Sequence, residues 1–254
     1  VLPENGNGDF TVVRNTTATR VNSSGFIENV AANVPRLNYD TVGGNPSILI
    51  EPQRTNLISF SNVFTDGSYQ NSGMLVQNNF AISPEGQQNA TKISSSASTQ
   101  NLFKNIGTIN GSPYAISVFA KNSINGANEK IRFGSFNVAF TEVTLTDTWT
   151  RYSITITANG TSQFFGFTKP ISSNNTSLIY GFNVEQASNV SSYIPTVASA
   201  VTRNADLATV NPPAGTVKIT TTFEDNTTQV LTTIPVTYTM PNGRIKSVEM
   251  QNIL

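Results

Sequence analysis

The sequence predicts an all-β fold: a jelly-roll β-sandwich with an N-terminal hairpin segment and a small C-terminal β unit. Three observations predict it. Apolar residues recur with a period of two, as in Tyr114, Ile116, Val118 and Ala120, or Tyr152, Ile154 and Ile156. Period two places alternate side chains on one face of a strand. Turn signals such as Asp66-Gly67, Asn159-Gly160 and Asn242-Gly243 punctuate these runs. No window carries the 3.6-residue period of an amphipathic helix, so almost no helix is expected. Strands with one apolar face need a second sheet to cover them, and two such sheets make a sandwich.

The elements follow in order. Val1–Asp9 is Gly/Asn-rich and reads as an arm or loop. Phe10–Arg14 is a short strand. Thr17–Val21 and Phe26–Val30 form a hairpin around Asn22-Ser-Ser-Gly25, with Gly25 at the position that needs positive φ. Gly43-Gly44 breaks the chain before Asn45–Leu57, where the apolar strand Ile48-Leu49-Ile50 lies between Pro46 and Pro52. Residues 1–58 are read as the N-terminal anchoring segment.

Residues 59–210 are read as the jelly roll. Its strands are Gly73–Phe80, Ala90–Ser94, Tyr114–Ala120, Ile131–Phe133, Phe136–Phe140, Val143–Leu145 and Tyr152–Ile156. Ser94–Thr99 is a low-complexity loop. Phe164, Phe165 and Phe167 supply core bulk around Gly166. Leu178, Tyr180, Phe182 and Val184 share one face, and Ser192–Thr196 leaves the sandwich. Burying an aliphatic or aromatic side chain contributes about 1.5–3 kcal/mol, so about twenty such positions suffice for a core. Pro212-Pro213 marks a boundary, and residues 211–254 are read as a separate unit. In it Tyr238–Met240 and Arg244-Ile245 pair across a type I′ turn at Asn242-Gly243.

Composition narrows the chemistry. Of 254 residues, 37% are hydrophobic and 12% charged, with a formal net charge of +0. A charged share well below the usual quarter, filled by Asn, Thr, Ser and Gly, suits short strands and tight turns. With Cys 0 and His 0, disulfides, thiolate chemistry, imidazole metal ligands and the Ser-His-Asp triad are all excluded. The fifteen basic residues form no run, so no nucleic-acid stripe is expected. No apolar run approaches the roughly 18 residues of a transmembrane helix, and no secretory signal opens the chain.

Three groups of residues, in order and at characteristic spacing, carry a resemblance. They are Thr17–Glu28 with Ala31–Arg36 and Tyr39-Asp40; then Ile48–Leu57; then Ser192–Thr196 with Ala200–Asp206. Over residues 9–210 the chain resembles a module of tailed-bacteriophage head-spike, head-fibre and tail-fibre proteins. The central part of that module resembles a carbohydrate-binding jelly roll. The resemblance implies a non-enzymatic virion component assembled in the bacterial cytoplasm. It implies contacts with other capsid or tail proteins, a homo-oligomer that is often a trimer, and attachment to a host-surface glycan. A stand-alone carbohydrate-binding module serving a glycan-active enzyme is the alternative.

Arg20, Glu28, Glu51, Arg54, Arg203 and Asp206 are charged members of the motifs. They read as an ion-pair and hydrogen-bond lock, with Glu51 and Arg54 against Thr202–Asp206; a ligand or calcium site is the competing reading. No cofactor is expected beyond a possible structural calcium. The fifteen acidic residues are scattered, without the marked carboxylate pair of a glycosidase. Trp149 starts a strand and is expected in the core. Tyr69, Phe80 and Phe103 lie in less regular segments and are the candidate stacking platforms for a sugar.

Overall fold

The strand-forming runs fold into β1 (Thr11–Val13), β2 (Ala18–Val21), β3 (Ile27–Val30), β4 (Leu37–Asn38), β5 (Ser47–Ile50) and β6 (Arg54–Asn56). Then come β7 (Gln70–Asn71), β8 (Leu75–Ile82), β9 (Gln88–Ser94), β10 (Asn101–Gly107), β11 (Pro113–Lys121) and β12 (Lys130–Ser135). They are followed by β13 (Ala139–Thr144), β14 (Thr150–Thr157), β15 (Ser162–Thr168), β16 (Thr176–Glu185), β17 (Val201–Arg203) and β18 (Leu207–Val210). The last four are β19 (Thr216–Phe223), β20 (Thr228–Leu231), β21 (Tyr238–Thr239) and β22 (Gly243–Asn252). The structure, a computed structural model, describes residues 10–40, 44–95, 100–168 and 176–252, and none of these is helical. The expected arm at Val1–Asp9, Gly43 of the glycine break and residues 96–99 of the Ser94–Thr99 loop lie outside the described residues.

Two compact units result. One comprises Thr55–Val201, the other the described parts of Val1–Arg54 and Thr202–Leu254. The first is the jelly roll. Its sheets run β14-β11-β16-β9-β8 and β13-β12-β15-β10-β7. The chain crosses from one sheet to the other at each step from β9 to β12 and again from β13 to β16, the weave of a jelly roll. Tyr114, Ile116, Val118, Phe182 and Val184 from one sheet meet Leu102, Ile131, Phe133, Phe165 and Phe167 from the other in a single core.

One alternation differs from the sequence reading. Leu178 and Tyr180 do not share a face with Phe182 and Val184; Ile179 takes the core position instead. The register between β11 and β16 shifts at Ser117/Phe119, opposite Gly181 at φ 65. The extra residue of this bulge reverses the alternation, and a left-handed φ favours glycine there.

The second unit joins segments that the sequence reading kept apart at 1–58 and 211–254. Its main sheet runs β20-β19-β22-β5-β4. All four residues of β5 are buried, so this strand must be a central one with partners on both sides. β4 supplies one edge through Leu37↔Ile48, and β22 the other through Gly243↔Ile50 and Ile245↔Ile48. β1 likewise pairs with β18 through Val12↔Ala208. Residues 202–210 therefore belong to this unit. Its core gathers Val12, Ile48, Ile50, Val210, Ile219, Tyr238 and Ile245. The expected hairpin at Asn242-Gly243 does not form, because β21 pairs with β18 while β22 pairs with β19 and β5. The hairpin at Asn22–Gly25 does form, with Gly25 at φ 82.

Candidate functional site

The two outer faces of the jelly roll differ. Over β11, β14 and β16 the outer face is covered by the segment that follows β16. Arg151 donates from Nη1 to the Ser191 carbonyl at 2.6 Å and from Nη2 to Ser117 Oγ at 2.9 Å. Glu185, fully buried, accepts the Ser191 amide at 2.9 Å. The Tyr193 ring packs against Tyr180 and Phe119, with centroids 5.6 and 6.4 Å away. Ser192–Thr196 therefore does not simply leave the sandwich: Tyr193 and Ile194 are buried.

The outer face of the other sheet carries rings. Register places Gln70, Phe103, Gly166, Gly134 and Phe140 in one row across β7, β10, β15, β12 and β13. Neither position between Phe103 and Phe140 bears a side chain. A Cβ on Gly166 would lie 2.1 Å from the Leu102 carbonyl oxygen and 2.6 Å from Phe103 Cα. A Cβ on Gly134 would lie 2.3 Å from the Ala139 carbonyl oxygen. Both glycines are thus set by close backbone approach.

The Phe136 ring stands between the two ends of this row. Its centroid is 4.9 Å from that of Phe103 and 4.7 Å from that of Phe140. Phe164, paired with Asn105, extends the series, 5.4 Å from Phe103. The result is a ribbon of four half-buried rings, Phe164, Phe103, Phe136 and Phe140. These centroid spacings and tilted or edge-on geometries suit mutual aromatic packing. The Arg132 guanidinium lies 5.6 Å from the centroid of Phe140. Polar neighbours border the ribbon: Gln70, Asn105 and Glu142, all exposed.

Of the three platform candidates, only Phe103 belongs to this ribbon. Tyr69 is a core residue at 7% exposure, so its face is not available to a ligand. It packs on Phe64 at 5.4 Å and donates its hydroxyl to the Phe60 carbonyl at 3.2 Å. Phe80 is 43% exposed on β8, but the Lys92 ammonium sits 4.6 Å from its centroid. Trp149, expected in the core, is half-buried, and its indole donates to the Ile82 carbonyl at 3.1 Å. Phe164, expected in the core with Phe165 and Phe167, faces outward, because adjacent residues of one strand point to opposite sides.

The motif charges meet in the other unit. Asp206 accepts Arg14 at 2.7 Å, the backbone amide of Glu51 at 2.9 Å, and Arg36. Glu51 in turn accepts Arg36 at 2.8 Å and Arg203 at 2.5 Å. The three guanidinium side chains are at most 1% exposed. Nothing local marks Arg14, at the end of its apolar strand run, as part of the cluster, and the only sequence signal for Arg36 is its place at the end of the Ala31–Arg36 group. Arg20 and Glu28 form a cross-strand pair at 2.7 Å on the hairpin, at 27% and 36% exposure. There Arg20 and Asn22 hold the Glu28 carboxyl below its ordinary range, against the upward push of partial burial. Arg54 is half-buried and donates to the Gln53 carbonyl at 3.0 Å. In the cluster around Asp206 and Glu51 both carboxylates are paired with buried guanidinium groups. Among the described residues no three His, Cys, Asp or Glu side chains converge as a metal site.

No protein-family model matches the chain, and no curated protein does. Parts of several solved structures are similar to part of the chain. One holds the CBM22-1 and GH10 modules of a Clostridium thermocellum endo-1,4-β-D-xylanase. It is 17% identical, with a TM-score of 0.40, over 57% of this chain and 30% of that one. A second is the CBM22-1 xylan-binding domain from Paenibacillus barcinonensis, 11% identical with a TM-score of 0.38, over 54% of this chain and 94% of that one. A third is the enzymatically active domain of tailspike protein 4 of bacteriophage CBA120. It is 12% identical with a TM-score of 0.37, over 51% of this chain and 21% of that one. The chain spans less than a third of the length of the xylanase and tailspike chains.

Proposed function

We propose that the chain is a non-catalytic component of a tailed-bacteriophage virion, a head or tail fibre or spike, whose jelly roll binds a glycan on the host surface. The observation that carries glycan binding is the ribbon of Phe164, Phe103, Phe136 and Phe140 on the outer face of the sheet β13-β12-β15-β10-β7, opposite the face covered by the segment after β16. Flat apolar rings bordered by exposed amides offer stacking for the C–H face of a sugar and hydrogen bonds for its hydroxyls. The virion assignment rests on the ordered motifs, whose charged members Glu51, Arg203 and Asp206 meet in one buried cluster. Sites on a fibre act in many copies, so weak individual binding becomes firm attachment by avidity.

The test is a glycan array probed with the purified chain, followed by Phe103→Ala and Phe136→Ala. Losing one ring from the ribbon is expected to weaken binding about tenfold, the equivalent of 1–2 kcal/mol. Unchanged binding in both variants overturns the site. Immunolabelling of purified particles tests the location, and absence of the protein from them overturns the virion reading. Reducing-sugar release that is lost on carboxylate substitution overturns the non-catalytic reading.

A further inference from the structure

We infer that the glycan this face takes is acidic, a polysaccharide bearing sugar carboxylates, with Arg132 as the residue that receives the charge. The inference rests on the proposed platform and adds its ligand class. Arg132 occupies the row beside the rings, between Thr168 and Glu142 in register. Its guanidinium is half-buried and lies against Phe140 at 5.6 Å. The obvious partner is already engaged: Glu142 pairs with Lys130 at 3.0 Å. Among the described residues no carboxylate forms an ion pair with Arg132.

The consequence is chemical. A guanidinium laid on a ring keeps its N–H edge for a planar acceptor, and a carboxylate is the acceptor whose two oxygens match that fork. Arg132 and Lys130 against Glu142 leave this end of the ribbon positive. A sugar ring stacked on Phe136, whose centroid is 4.7 Å from that of Phe140, would bring a ring carboxylate toward that end. A neutral glycan would stack equally well but leave the guanidinium unanswered. The half-burial of Arg132 strengthens the pairing, because partly desolvated charges attract more strongly than fully solvated ones.

The experiment is affinity electrophoresis of the full chain through gels containing polygalacturonate, alginate or hyaluronan. Each is run beside its carboxyl-reduced, neutral counterpart. Retardation by at least one acidic polymer, reduced at least tenfold for its neutral counterpart, is expected. Arg132→Gln should abolish that preference, while Phe103→Ala should weaken retardation by acidic and neutral forms alike. Circular dichroism establishes that each variant is folded. Equal retardation by acidic and reduced polymers, or a preference that survives Arg132→Gln, overturns the acidic ligand and leaves the platform standing. Failure to bind any of these polymers or any glycan on the array overturns both.

Discussion

Replacing Asp206 by Asn is expected to cost about 3–5 kcal/mol of folding stability, the range for breaking a buried ion pair by altering one partner. The magnitude follows from the surroundings. The Asp206 side chain is 1% exposed and faces Arg14 and Arg36, both 0% exposed. It also accepts the Glu51 amide at 2.9 Å. Asn keeps the shape, but it removes the charge and turns an N–H₂ donor toward groups that can only donate. The cluster of Arg14, Arg36, Arg203, Glu51 and Asp206 then carries one more uncompensated positive charge. Glu28→Gln is the control: its pair with Arg20 is 27% and 36% exposed, and pairs so exposed contribute about 0.2–1 kcal/mol. Hydrogen exchange by mass spectrometry over Ser47–Ile50 and Gly243–Asn252 reads the effect in the unit concerned. Asp206→Asn should speed exchange of the most protected amides there about a hundred- to several-thousand-fold. A change under tenfold, or an equal change in Glu28→Gln, refutes the lock.

Alkaline stability should be biphasic. Burial pushes the Lys104 ammonium down to about 8 from 10.5. Its cost to the folded state is full below pH 8 and is relieved as the pH rises toward 10.5, so stability climbs there. Burial pushes the Tyr69, Tyr180 and Tyr193 hydroxyls up from 10.0. Their contribution is full below pH 10 and is lost above it, as unfolded tyrosines ionise, by about 1.4 kcal/mol per pH unit for each. Urea midpoints between pH 7 and 11.5 should show the rise and then the fall, and Lys104→Met should remove the rise; a steady decline from pH 8 contradicts this account. Gly166→Ala should destabilise the jelly roll by more than the about 1–3 kcal/mol typical of overpacking, since its Cβ would meet backbone at 2.1 Å. A thermal midpoint within a degree of the parent's would show that the strands can part there. Tyr193→Phe removes the 2.6 Å hydrogen bond with Ser61 Oγ and should cost about 0.5–1.5 kcal/mol, read as a lower urea midpoint, because Ser61 Oγ keeps the Thr196 amide at 3.0 Å as a partner; a loss above about 3 kcal/mol would contradict this.

Strand positions in the jelly roll were legible because alternation there is simple. Tyr114 to Ala120 fall on β11 with the expected face inward. Asn22–Gly25 was legible because a turn that needs positive φ declares itself by its glycine. The pairing of distant segments was not legible. Ile48-Leu49-Ile50 reads as a short apolar strand between prolines, and nothing local says that one of its neighbours lies some two hundred residues later at Gly243–Ile245. The same holds for Arg14 and Arg36. A lone arginine at the end of a short strand reads as a solvated charge until the fold brings a carboxylate from Asp206 against it.

The aromatic ribbon was illegible for a sharper reason. Phe164-Phe165-Gly166-Phe167 reads as one apolar run, yet its members serve opposite faces: Phe165 and Phe167 build the core, while Phe164 and the space above Gly166 belong to the outer surface. Two further requirements hide it. Gly134 and Gly166 must fall in register between Phe103 and Phe140, which depends on four strands pairing correctly. And Phe136 must leave its strand at the turn after Ser135 for its ring to stand between theirs. A one-residue slip of β12 against β15 would bury Arg132 and expose Phe133, dissolving the platform and creating an unpaired buried charge together. The register that gives the sandwich its core therefore also presents the rings and Arg132, so any selection for a well-packed core in this sheet preserves the face proposed to bind glycan.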